Sequence, residues 1–190
     1  MNKTRIDALL GAIGGDIIGS PYEFRGVDAE HFTLFDSRCH YTDDTVLSIA
    51  VVDWLLHDGR DLQGKLIRYA RRYYWAGYGT RFSKWCMDED PQPYNSCGNG
   101  SAMRVSAVGC VAETVPEALI SFFESESYED CILKAVLTNK DTDTAAACAG
   151  AVAGAYYGLS DSMRKEILSR LPGEFVMAIN KLEKTTSNKN

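Results

Sequence analysis

A chain of 190 residues, 45% hydrophobic and 24% charged, has the size and mix of a single soluble domain with its own core. The formal net charge of -6 argues against broad nucleic-acid binding, which needs a basic face. No apolar run reaches membrane-spanning length, and Met1 to Asp7 lacks a signal-peptide hydrophobic region, so no membrane association is expected.

Apolar residues at Ile6, Leu9, Ile13 and Ile17 recur at helical spacing, with Gly11, Gly14 and Gly15 interleaved. That predicts a helix from Ile6 to Ile18 whose glycines mark close approach to another helix or a ligand, ending near Gly19-Ser20-Pro21. A loop from Tyr22 to Tyr41 follows, then helices over Val46–Leu56 and Leu62–Trp75, and an irregular stretch from Tyr78 to Ser96. Ala102 to Ala112 reads as helix, and Val115-Pro116-Glu117-Ala118 opens the next, with proline in its first turn. Further helices are predicted over Tyr128–Leu137, Thr144–Tyr157, Ser162–Arg170 and Phe175–Leu182. The expected organisation is one domain over residues 1–182 and a solvated polar tail over 183–190. No segment shows convincing period-two alternation, so the fold is read as all-α, with Arg104 to Val111 the place where an exception would fall.

The six cysteines include no C-x-x-C pair, and Cys110 and Cys148 sit inside apolar helical patterns. Buried thiols in a reducing compartment, and hence a cytoplasmic location, are expected. The three histidines, His31, His40 and His57, show no metal-ligand spacing.

Two acidic helix starts stand out. Thr42-Asp43-Asp44-Thr45 precedes one apolar helix, and Asp141-Thr142-Asp143-Thr144 precedes another built almost wholly of alanine and glycine. Each alone is explained by capping and by the helix dipole. Small residues let the second helix pack closely, and if the two starts meet, four aspartates share a pocket. Such a pocket needs either a divalent cation or retained protons. Its carboxylate and hydroxyl oxygens favour Mg²⁺, Mn²⁺ or Ca²⁺ over zinc. Glu23, in a glycine-rich setting, is a candidate fifth carboxylate or a plain loop residue. Ser96-Cys97-Gly98-Asn99-Gly100-Ser101-Ala102-Met103-Arg104 is either a phosphate cradle opening a helix or an ordinary Asn-Gly turn. The arginines and aromatics from Arg68 to Trp85 read as an amphipathic helix with an aromatic-lined loop in preference to a nucleic-acid stacking surface.

Gly15-Asp16 with Glu23, the two acidic motifs, Gly98 to Arg104, and the small-residue helix through Tyr156-Tyr157-Gly158 occur in an order that resembles the ADP-ribosylglycohydrolase family, which includes the dinitrogenase reductase-activating glycohydrolases. The resemblance implies an all-α domain that cleaves the bond between ribose C1″ of ADP-ribose and its acceptor with a two-Mg²⁺ centre, Mn²⁺ being possible. It implies Thr42, Asp43, Asp44, Asp141, Asp143 and Thr144 as metal ligands, and Glu23 at the reacting face as a movable ligand or water contact. Glu23, Asp43 and Asp141 are the catalytic candidates. Gly98, Asn99, Gly100, Ser101, Met103 and Arg104 would hold the diphosphate and neighbouring ribose. The implied partner is ADP-ribose or an ADP-ribosylated protein, nucleic acid or small molecule.

Two departures from the family pattern stand in the sequence. A block of helices usually found between the Arg104 region and the helix near Val115 is absent, which removes the adenosine side of the cleft and favours a homo-oligomer through newly exposed surface. Asn139-Lys140 replaces the usual glycines, setting a cation beside the second motif. Both motivate the alternative of a non-catalytic binder of ADP-ribose or a related nucleotide signal.

Overall fold

Small residues recur every fourth position on two helices, at Gly11, Gly15 and Gly19 and at Thr142, Ala146, Gly150 and Gly154. On a helix this spacing gathers them into one stripe where a second backbone can approach closely. A computed structural model of the chain, describing residues 2–23, 25–57, 60–94, 96, 100, 120–138 and 141–187, has the two stripes face to face. The elements are α1 (Asn2–Gly19), a short 3₁₀ turn (Ser20–Tyr22), α2 (Asp43–Leu56), α3 (Leu62–Arg72), α4 (Thr80–Met87), α5 (Tyr128–Thr138), α6 (Thr142–Tyr157), α7 (Asp161–Ser169) and α8 (Gly173–Ser187). No strand occurs among the described residues, so the all-α reading holds.

The α1–α6 pair is the centre of the fold. A Cβ at Gly11 or Gly15 would collide with the carbonyl oxygen of Gly150 or Ala146, and one at Gly19 would lie 2.5 Å from that of Thr142. Residue numbers rise along α1 as they fall along α6, so the helices run antiparallel and the end of α1 meets the start of α6. Thr142 Oγ1 clamps this junction by donating to the Gly19 carbonyl at 2.8 Å. Around the pair, Ile6, Leu10, Ile13 and Ile17 of α1 join Ile132 of α5, Ile167 of α7 and Phe175 and Ile179 of α8 in one fully buried core.

Several predicted boundaries change. Helix α2 begins at Asp43, so the first acidic motif forms its opening turn, and α6 likewise takes in Thr142 and Asp143. Residues Thr80–Met87, expected to be irregular, form α4, where Phe82 and Trp85 stack at 5.6 Å on one side. Helix α3 stops at Arg72 rather than Trp75, the Tyr73 N–H donating to Tyr69 as the ladder's last bond. Helix α8 starts at Gly173 and continues to Ser187 instead of ending at Leu182. Its Glu183 is no freely solvated tail residue, because it pairs with Arg164 at 3.4 Å. The helix expected over Ala102–Ala112, the start at Val115 and the segment Arg104–Val111 lie outside the described residues.

The arginines of α3 are turned to intramolecular work. Arg68 pairs with Asp53 at 2.7 Å, Arg71 donates to the carbonyls of Cys86 and Asp88, and Arg72 pairs with Glu174 at 2.6 Å. Cys39, Cys86, Cys131 and Cys148 are free thiols, the first three of them buried. No helix among the described residues is long and apolar enough to cross a membrane.

Candidate metal centre

The antiparallel α1–α6 contact places the turn after α1 beside the N-terminus of α6, and α2 begins against the same end of α1. Three chain segments that are remote in sequence therefore converge. Carboxylate oxygens of Glu23, Asp141 and Asp143 lie within 4.8 Å of one another. Asp44 feels the charges of Asp16, Asp143, Asp43 and Asp141, which joins the first acidic motif to the second.

Capping explains only part of this. Thr42 is a true N-cap of α2, its Oγ1 accepting from the Asp44 N–H at 3.3 Å. Asp141 occupies the N-cap position of α6 but makes no side-chain capping bond; its carboxyl hydrogen-bonds with Asp143 instead. Burial, that bond, and the charges of Asp16 and Glu23 push Asp143 up to about 9. Burial raises Asp44 well above the carboxylate range, and the surrounding acids add to the effect. Glu23 is raised by burial and by Asp141 and Asp16, with His40 opposing. Without a cation, burial and the neighbouring acids favour retained protons on Asp143 and Asp44.

The donor set fits a hard divalent cation. It is all oxygen, from carboxylates and threonine hydroxyls, as magnesium, manganese or calcium require. Asp44 Oδ2 is fully buried and has no hydrogen-bond partner among the described residues. An unpaired buried carboxylate oxygen is costly in a folded protein unless a cation or proton answers it.

The remaining expected residues divide cleanly. Thr42 and Thr144 are buried at the starts of α2 and α6, and Asp43, partly exposed, lies beside Gly77, where an added Cβ would sit 3.6 Å from Asp43 Oδ1. Gly100 is helical and partly exposed. Gly98, Asn99, Ser101, Met103, Arg104 and Lys140 lie outside the described residues. The histidines stay at the periphery: His40 Nδ1 contacts the Arg38 carbonyl at 2.9 Å, and His31 and His57 pair with Asp28 and Asp53.

The sequence pattern alone does not mark Asp16 as a site residue. It is fully buried on α1 and accepts from the N–H and hydroxyl of both Thr42 and Thr45. Its signal was an acid three residues beyond Ile13 and next to Ile17, on the apolar side of a helix. Tyr78 was also unassigned; its hydroxyl is buried without a partner among the described residues, and its proton affinity is raised by burial and by Asp43.

In this all-α domain the starts of two helices and the turn after a third gather carboxylate and hydroxyl oxygens into one acidic cluster. The family model for ADP-ribosylglycohydrolase matches the chain in two pieces, residues 3–112 and 105–188, and the chain belongs to that family. The two pieces overlap at residues 105–112. The family is one of hydrolases that act on ADP-ribosylated substrates and are generally metal-dependent. A comparison with curated proteins found no match.

Proposed function

We propose that this protein is a Mg²⁺-dependent hydrolase that releases ADP-ribose from a modified protein, nucleic acid or small molecule by cleaving the bond at ribose C1″. The observation that carries the reading is the convergence of Glu23, Asp141 and Asp143 within 4.8 Å, beside the unpartnered buried oxygen of Asp44. Thr42, Asp43, Asp44, Asp141, Asp143 and Thr144 would hold two ions. When bound, they supply positive charge that orients the ribose hydroxyls and lowers the pKa of nearby water.

The protein's own groups do the rest. Glu23 is half-buried, as Asp141 is, and its raised proton affinity suits a group that takes a proton from water. In this reading the water oxygen bonds to C1″ as the bond to the acceptor breaks. Glu23 takes the water proton, with Asp43 and Asp141 as further catalytic candidates, and the leaving atom gains a proton from a neighbouring group or solvent. Gly98, Asn99, Gly100, Ser101, Met103 and Arg104 hold the diphosphate and adjoining ribose. The free thiols suit a reducing, cytoplasmic setting. Self-association would use the apolar surface at Ile120, Phe123 and Tyr156, all exposed.

The test mixes purified protein with substrates ADP-ribosylated on arginine, on serine and on a nucleobase, with Mg²⁺ or with chelator. Release that needs Mg²⁺, and that is lost in Asp43→Ala and Asp143→Ala variants with unchanged helical circular dichroism, is the expected result. No release from any linkage sinks the hydrolase reading. Tight ADP-ribose binding by calorimetry without release identifies a binder instead.

A further inference from the structure

Asp16 has no place in the reaction just described, yet it sits fully buried behind the first acidic motif. Its two oxygens are unequally loaded. Oδ1 takes one donor, the Thr42 hydroxyl at 2.6 Å. Oδ2 takes the Thr42 N–H at 3.0 Å, the Thr45 N–H at 3.1 Å and the Thr45 hydroxyl in a short contact. Anchoring the start of α2 to α1 would need only a neutral acceptor, and a buried carboxylate is a costly substitute for one.

What a carboxylate adds is direction. A threonine hydroxyl has one proton and two lone pairs. The Thr42 proton is held by Asp16, and one lone pair accepts from the Asp44 N–H at 3.3 Å. One lone pair is left, on an oxygen that has no proton to turn toward the acidic cluster. We propose that Asp16 is a positioning residue that locks Thr42 as an acceptor, so that its remaining lone pair is presented to the divalent cation. The inference rests on the metal half of the proposed function and does not depend on turnover. Partners placed behind a metal ligand in this way are typically worth about 10- to 100-fold in metal affinity.

Asp16→Asn separates direction from anchoring. The Oδ2 side faces three donors, so the amide oxygen belongs there and the NH₂ falls opposite Thr42 Oγ1. Thr42 must then accept from the amide and turn its own proton toward the cation. Mn²⁺ binding by the full chain, followed by electron paramagnetic resonance without substrate, reads the effect. Folded Asp16→Asn should bind Mn²⁺ about 10- to 100-fold more weakly. In a Thr42→Val background the same change should alter affinity by less than about twofold, because the group it acts through is gone. An equal loss in both backgrounds, or no loss in either, overturns the proposal.

The unsubstituted protein gives a second test that survives if Asp16→Asn does not fold. The Thr42 hydroxyl proton should give a slowly exchanging NMR signal both without and with saturating Mg²⁺. Its disappearance on Mg²⁺ addition overturns the proposal. Wild-type protein that binds no Mn²⁺ sinks this inference together with the metal half of the proposed function. Binding in the expected pattern without turnover leaves the inference standing and removes only the hydrolase reading.

Discussion

Gly15 of α1 lies directly against the Ala146 carbonyl of α6, with no room for a side-chain carbon between them. This contact decides where the chemistry sits. Antiparallel helices whose backbones touch cannot slide or splay without opening the core, so the turn carrying Glu23 is fixed beside Asp141 and Asp143. Gly15→Ala gains helix propensity but forces the backbones apart, and overpacking of this kind costs about 1–3 kcal/mol or more. We expect a lower Tm and, at temperatures where the variant remains folded, weaker metal binding. Gly173→Ala is the control: nothing lies within 4 Å of its added Cβ, and stability should change by less than about 1 kcal/mol. Equal effects of the two in thermal denaturation would refute the close-packing argument.

Asp44→Asn should separate stability from function. The buried Asp44 carboxyl is surrounded by like-charged groups and has an oxygen without a partner among the described residues. An amide is neutral at every pH, so it spares the cost of keeping a proton on Asp44 above the ordinary carboxylate range, and it can donate to those neighbours. Metal-free Asp44→Asn should therefore melt above the metal-free wild type, while the rise in Tm on adding Mg²⁺ is lost. A variant that melts lower without metal and still responds to Mg²⁺ would contradict this placing of Asp44.

At the opposite end of α1, the buried Asp7 carboxylate is paired with Arg164 of α7. Removing one partner leaves a charge stranded in the interior. Arg164→Leu is expected to cost about 3–5 kcal/mol in urea unfolding. The double variant Asp7→Asn/Arg164→Leu should recover part of that loss, since no unpaired charge remains. A single variant as stable as wild type would mean that the pair contributes nothing.

The helical class and the convergence of the acidic motifs were legible because both rest on repetition. Alanine and glycine every fourth residue in α6 announce close packing, and the twin acidic starts announce a shared pocket. Asp16 was not legible as a site residue, because one aspartate on an apolar helix face is visible in sequence while its partners, 26 and 29 residues away at Thr42 and Thr45, are not. Helix α4 was missed for a local reason. Gly79, Pro91 and Pro93 punctuate that region strongly, although Phe82, Trp85 and Cys86 between them already carry helical spacing. The end of α8 was misplaced because Glu183 and Lys184 read as solvent-exposed, whereas Glu183 is tied to Arg164 by tertiary packing.

The acidic cluster also sets how stability depends on pH. Asp143 is raised from 3.8 to about 9 in the metal-free fold, and Asp44 and Glu23 are raised as well. Between those two pH values the folded state holds a proton on Asp143 that the unfolded chain has given up, so raising the pH removes stability. Metal-free protein should thus lose Tm steadily from about pH 6 to about pH 9, the reverse of the usual behaviour of a salt-bridged carboxylate. A divalent cation takes the place of the proton. Mg²⁺ binding should release protons, strengthen with pH over the same window, and raise Tm more at about pH 8.5 than at about pH 6. Thermal melts with Mg²⁺ and with chelator at each pH check both halves. A metal-free Tm that is flat or rising toward pH 9 would show that the cluster is already ionised without a cation.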